Sequence, residues 1–141
     1  MWKKVKESIE NDLPETAEKQ LNEIESAAKR DKNQPQLLKT VLYRQQIFRQ
    51  KEEEPEKAFL ACAESKMSEL GKTETAVLHL EIAKTYADYY EQNQWQLHNN
   101  LPIDGDMSKV EMKYWDETTF RKVIGQHYVE AFSEWQKNER V

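Results

Sequence analysis

The sequence predicts an all-α fold of about six antiparallel helices, and three observations carry that expectation. Its composition is rich in Ala, Leu, Glu, Lys and Gln and holds only three Gly and four Pro, the signature of strong helix formers. Apolar residues recur at the helical period along most of the chain, and no useful length shows the period-two alternation of a strand. Pro14, Pro35 and Pro55 stand about 20 residues apart, each just ahead of a helical pattern. A first turn tolerates proline because its missing N–H would be unpaired there anyway.

The first helix is expected over about Trp2 to Asn11, with Trp2, Val5 and Ile9 on one stripe. Asp12 with Glu15 reads as a capping box before the second, Pro14 to Arg30, whose stripe is Ala17, Leu21, Ile24 and Ala28. Asn33 with Gln36 is a weaker box before the third, Pro35 to Gln50, which carries Leu37, Leu38, Val41, Leu42, Ile47 and Phe48. The fourth, Glu54 to Leu70, repeats the pattern with Ala58, Phe59, Cys62, Ala63 and Met67. Gly71 is expected to stop it in the left-handed cap conformation that glycine enters cheaply.

The fifth helix begins near Thr73 and runs toward Leu97. Its stripe is Val77, Leu80, Ala83 (or Ala87) and Tyr90, with Leu78, Ile82, Tyr86 and Tyr89 beside it, a band wide enough for packing on two sides. One long connection follows, about Asn99 to Tyr114, containing Pro102 and Asp104-Gly105-Asp106. The sixth helix starts at the N-cap Asp116 and runs to about Lys137. Its expected buried face is Phe120, Val123, Ile124, Tyr128, Ala131, Phe132 and Trp135.

Short loops force neighbouring helices antiparallel, so the six should pair into stacked hairpins. Ile82-Ala83-x-x-Tyr86 and Ile124-Gly125-x-x-Tyr128 both match the middle of the tetratricopeptide first-helix pattern: large apolar, small, then Tyr three on. The two copies lie 42 residues apart, longer than that repeat's period, and its Trp and Pro positions are unmatched. The arrangement is therefore tetratricopeptide-like rather than a member of that repeat family.

At 141 residues the chain reads as a single helical-repeat domain, 1–141, large enough to bury a core without staples. Aromatic content of 10% separates it from disordered chains of similar charge. A net charge of −5 excludes the broad basic face that nucleic acid requires, and Lys3, Lys4 and Lys6 read as a solvated helix face. No apolar run approaches a membrane span, and no signal peptide opens the chain. One cysteine, Cys62, allows no internal disulfide.

Residue patterns that carry chemistry are few. His79, His98 and His127 sit at no metal-ligand spacing, and His127-x-x-Glu130 has no partner in local sequence, so neither a metal nor a cofactor is expected. Asp104-Gly105-Asp106 lacks the order and the closing Glu of a calcium loop and reads as an exposed turn. Glu52, Glu53 and Glu54 suit a helix start, where the dipole favours negative charge. Cys62 reads as a buried structural thiol, no serine has a local base and acid, and three scattered glycines build no phosphate loop. The expectation is a non-catalytic protein. Its one binding signal is a surplus of aromatics: Tyr89, Tyr90 and Trp95 at the end of the fifth helix, Tyr114 and Trp115 before the sixth. They either pin the long loop or line a contact surface for a partner.

Trp2-Lys3-Lys4-Val5, then Asp12-Leu13-Pro14-Glu15-Thr16-Ala17, then Leu21-x-x-Ile24-x-x-x-Ala28 resembles the opening of very large alpha-2-macroglobulin-like proteins of Bacteroidetes. The segment Asn33 to Tyr43 and the later Tyr114-Trp115-Asp116-x-x-x-Phe120 with Ile124 and Tyr128 are similar to further landmarks of that leader. The resemblance spans nearly the whole chain, and its motifs are helix-packing residues. It implies a helical leader ahead of macroglobulin domains, in a parent that traps or inhibits endopeptidases. It also implies secretion and a lipid anchor supplied upstream, hence a periplasmic or cell-surface location. The family's thioester does not carry over, because Cys62-Ala63-Glu64-Ser65 lacks the Gln it needs.

The leading expectation is thus a structural and interaction domain of such an envelope protein. Its partners would be adjacent domains of the parent chain or another envelope protein, and Glu134 to Val141, a helical end without a cap, fits a piece of a longer chain. The alternative is a free-standing cytoplasmic tetratricopeptide-like adaptor that binds peptide segments in a groove lined by Asn, Lys and Arg. A third is an enzyme whose site is assembled from distant helices, which requires His79 or His127 beside a carboxylate in a deep polar pocket.

Overall fold

A computed structural model describes the backbone of residues 1–103 and 105–139 and the side chains of residues 1–103, 105–107 and 109–133. Among the described residues all regular structure is helical. The helices are α1 (Trp2–Glu10), α2 (Pro14–Arg30), α3 (Gln34–Lys51), α4 (Pro55–Lys66), α5 (Lys72–Gln92), α6 (Gln94–Leu97) and α7 (Glu117–Glu139). Short 3-10 turns lie at Met67–Glu69, Met107–Lys109 and Met112–Tyr114. The chain divides into two compact units, Met1–Leu78 and His79–Val141.

In the first unit each helix packs on the next in sequence, α1 on α2, α2 on α3, α3 on α4. The expected stripe of α2 is buried to the last residue, and Val5, Ala17, Leu21, Ile24 and Ile47 form the core with Trp2, Ile9 and Tyr43 against it. Trp2 packs at a tilt against Tyr43 with ring centroids 5.0 Å apart and donates its indole N–H to Gln36 at 2.6 Å, so the opening tryptophan is a packing residue. In α3 and α4 the fully buried positions are Leu37, Thr40, Val41, Ile47, Phe59, Leu60 and Ala63, while Leu38, Leu42, Phe48, Ala58, Cys62 and Met67 are half-buried.

The two α1–α2 and α2–α3 loops are built alike. After α1, Asp12 turns left-handed at φ 55 and bonds back to Ile9 at 3.1 Å, and the Leu13 N–H reaches the Ser8 carbonyl at 2.8 Å. After α2, Lys32 at φ 53 bonds to Lys29 at 3.2 Å, and Asn33 reaches Ala28 at 2.8 Å. Both pairs of bonds make the Schellman closure that satisfies the last carbonyls of a helix. Asp12 is therefore a helix terminator, and Leu13, which has no side-chain cap bond, stands at the N-cap of α2: the expected Asp12–Glu15 box does not form. The Asn33 side chain does cap α3, accepting from the Gln36 N–H at 3.3 Å.

Gly71 also departs from expectation, because its φ is not positive and the left-handed cap is not there. The fourth helix ends earlier, in the 3-10 turn Met67–Glu69. Gly71 instead starts α5, its carbonyl accepting from Thr75 at 2.9 Å and its N–H donating to Gln34 at 2.7 Å.

In the second unit the fifth helix is cut short at Asn93. Its side chain donates to the Tyr89 carbonyl at 2.8 Å, an alternative to the helical ladder that lets α6 start afresh. Along the whole of α5, which begins in the first unit, Ala76, Leu78, His79, Ile82, Ala83, Thr85 and Tyr86 are buried while Val77 and Leu80 are exposed; of the expected stripe Ala83 is buried, and Leu78, Ile82 and Tyr86 beside it supply the rest of the face. On α7, Thr119, Phe120, Val123 and Ala131 are buried, but Tyr128 and Phe132 are exposed; Trp135 lies outside the described side chains. The sequence pattern merged two apolar bands of α7 into one. Asp116 caps this helix as expected, accepting from the Thr119 N–H at 3.3 Å and from its hydroxyl.

Candidate functional site

The aromatic residues singled out in the sequence fall into two groups. Trp115 is buried: it stacks on Tyr86 at 5.5 Å, meets Phe120 edge-on at 5.2 Å and donates its indole N–H to the Val110 carbonyl at 2.9 Å. Tyr89 and Tyr90, half-buried, pack against the same Phe120 at 5.9 and 5.4 Å. Asn100 completes the clasp by donating to the carbonyls of Lys113 and Trp115, both at 2.9 Å. These residues pin the long connection, which contains a turn with Gly105 at φ 105; Asp104 lies outside the described residues.

Trp95 and Tyr114 do not join that cluster. Trp95 is 90% exposed and Tyr114 57%. Trp95 stands at the edge of a groove of about 670 Å³ lined by Tyr90, Gln94, Leu97, His98, Asn100, Pro102, Asp116 and Glu117. Among the described residues its lining includes Asn100 but no Lys or Arg.

A second surface was not legible as such. Gly125, Tyr128, Val129 and Phe132 follow the i, i+3, i+4, i+7 spacing of a single helix face. Tyr128 is 48% exposed, Val129 68% and Phe132 63%, and a Cβ added at Gly125 would meet nothing within 4 Å. The small-residue contact predicted for Ala83 is made, whereas the matching position on α7 is open.

The polar chemistry concentrates at three residues of the second unit. His127 and Glu130 lie one turn apart on α7, and the fold brings His79, which is buried on α5, up to them. The two Nδ1 atoms are 2.9 Å apart, and His79 Nε2 lies 3.1 Å from a Glu130 carboxylate oxygen. In the neutral tautomer that donates Nε2–H to Glu130, His79 presents the lone pair of Nδ1, and His127 then donates from its own Nδ1. Tyr86 stacks on the His127 ring at 5.9 Å and fixes its plane. Burial, and then the neighbouring His79, push the His127 pKa down from its ordinary value, Glu130 opposing them. Ligand atoms of all three residues lie within 4.8 Å of one another, which makes this the set that could hold a metal ion among the described residues. Local sequence showed only the His127-x-x-Glu130 half, since the third group arrives from 48 residues upstream.

Elsewhere, Cys62 is half-buried beside Arg44 and Lys66. Burial pushes its thiol up, and outweighs the pull of those two cations, so it is a poor nucleophile. His98 is exposed, and Lys3, Lys4 and Lys6 are solvated. No helix of the described residues is long and apolar enough to cross a membrane. The chain matches no protein-family model, no curated protein and no solved structure.

Proposed function

We propose that this chain is a non-catalytic, tetratricopeptide-like interaction domain that presents an open helix face to the next domain of a larger protein. The observation that carries this reading is the α7 stripe of Gly125, Tyr128, Val129 and Phe132, which has the spacing and the small residue of a helix-packing surface yet leaves its three large side chains exposed and the space over Gly125 open. Exposed apolar side chains scattered singly need no explanation, but a contiguous stripe on one helix face does. Trp95 and its groove offer a second contact of the same kind, as tryptophan is favoured where one protein meets another.

The resemblance of Trp2–Val5, Asp12–Ala17 and the later landmarks supports placing the domain at the N-terminus of an alpha-2-macroglobulin-like, endopeptidase-trapping protein of the bacterial envelope. The natural reading frame tests that placement. A lipoprotein signal upstream and a long β-rich chain downstream support it. A stop codon just past Val141 with no signal overturns it in favour of a cytoplasmic adaptor. In the natural full-length chain, a thiol reagent should label Val129→Cys, in a Cys62→Ser background, at least tenfold more slowly than in residues 1–141 alone. Equal rates would mean that the α7 face does not dock within its own parent.

A further inference from the structure

We propose that His79, His127 and Glu130 form a binding site for one divalent transition-metal ion of the zinc class. Two imidazole nitrogens and a carboxylate oxygen are the donor set of zinc sites with three protein ligands and an open fourth position. Imidazole-rich sites favour zinc, copper, nickel and cobalt over the hard cations magnesium and calcium. The two rings are already in contact through nitrogens 2.9 Å apart. Ligand atoms about a tetrahedral zinc stand roughly 3.3 Å apart, as follows from metal–ligand bonds of about 2.0–2.1 Å. The nitrogens therefore need to part by a few tenths of an ångström, and each ring to turn by about 35° so that its lone pair leaves the line joining them and meets the ion. Glu130, whose side chain is 62% exposed, closes the set by a change of rotamer and leaves the ion a path from solvent.

The surroundings hold the donors in place without filling the site. His79 is buried on α5, His127 is stacked on Tyr86, and Tyr86 is stacked in turn on Trp115. Loading displaces the proton that bridges the two Nδ1 atoms; it moves to Nε2 of the ring that donated it, so both imidazoles bind as neutral ligands. His98, exposed and remote from this set, provides the internal control.

Calorimetric titration of the intact chain with Zn²⁺ at pH 7, with Co²⁺ absorbance as a second readout, tests the site. The expected result is one ion per chain, with a dissociation constant in the micromolar range or tighter. His79→Gln and His127→Gln should each weaken binding at least 30-fold, and Glu130→Gln about tenfold, with His98→Gln unchanged. If the buried His79 variant does not fold, as judged by circular dichroism, His127→Gln and Glu130→Gln decide the matter, since those positions are partly or largely exposed. Absence of saturable binding below roughly 100 μM, or binding that survives both substitutions, overturns the proposal.

Discussion

Glu25 on α2 accepts from Arg44 at 2.6 Å and from Lys66 at 2.8 Å, joining α3 and α4 to α2 through one carboxylate. Burial alone would raise its pKa, but the hydrogen bonds and charges of Lys66 and Arg44 outweigh it and hold the carboxyl at about 2, against an ordinary 4.5. A depressed folded pKa means stabilisation that is complete above the unfolded value and is lost as pH falls from about 5 through about 2. Its upper bound is about 3 kcal/mol. Urea unfolding of Glu25→Gln should therefore show a loss of roughly 2–3 kcal/mol at pH 7 that narrows toward pH 2. A gap that stays constant across that range would locate the effect in packing instead. Among the described residues the Arg44 Nε is buried without a hydrogen-bond partner and the guanidinium also donates to Asn22, which raises the cost of losing this anion. Trp95 and Trp115 of the second unit give a matched contrast. Trp115→Ala should cost about 3–5 kcal/mol, as for other buried aromatics, while Trp95→Ala should stay within about 0.5 kcal/mol. Thermal unfolding of both variants checks this, and a large loss at Trp95 would remove it from the candidate surface.

At the level of elements, the repeated loops after α1 and α2 do without the glycine that usually closes a Schellman turn. Asp12 and Lys32 each hold a left-handed conformation that costs an ordinary residue about 1 kcal/mol. Asp12→Gly and Lys32→Gly should each raise stability by roughly 0.5–1 kcal/mol, after the entropy glycine adds to the unfolded chain is subtracted. Gly71→Ala should be close to neutral, because the new Cβ comes close to the end of the Glu74 side chain at 2.8 Å, which can move aside, and meets the Gln34 side chain at an ordinary 3.7 Å. Denaturant midpoints of the three variants test the assignment, and a loss of more than 1 kcal/mol at Gly71 would restore it as a left-handed cap. The loops were hard to read for the same reason: with no glycine present, Asp12 looked like the cap of the following helix when it is the end of the preceding one. Pro14, Pro35 and Pro55 were better guides, since proline's missing N–H confines it to the first turn, and each stands at or beside a helix start.

For the molecule as a whole, helix content, helix order and the face that α2 buries were all present in the residue pattern, because composition and a 3.6-residue period are local properties. Where a helix carries apolar residues on more than one side, as α5 and α7 do, periodicity names candidates without choosing among them. Val77, Leu80, Tyr128 and Phe132 looked like core and are exposed. Of the five aromatics picked out, Tyr89, Tyr90 and Trp115 turned inward to clasp the long connection, while Trp95 and Tyr114 stayed in solvent. Charge and aromatic content could not have made that division, which depends on which side chains reach Phe120 and Val110. The meeting of His79 with His127 and Glu130 belongs to the same class of fact. Sequence by itself determined an acidic, all-helical chain with its helices in the observed order. Only the tertiary structure decided which apolar faces stayed open and which distant polar groups came together, because such contacts depend on how helices far apart in sequence pack, and the helical period carries no record of that.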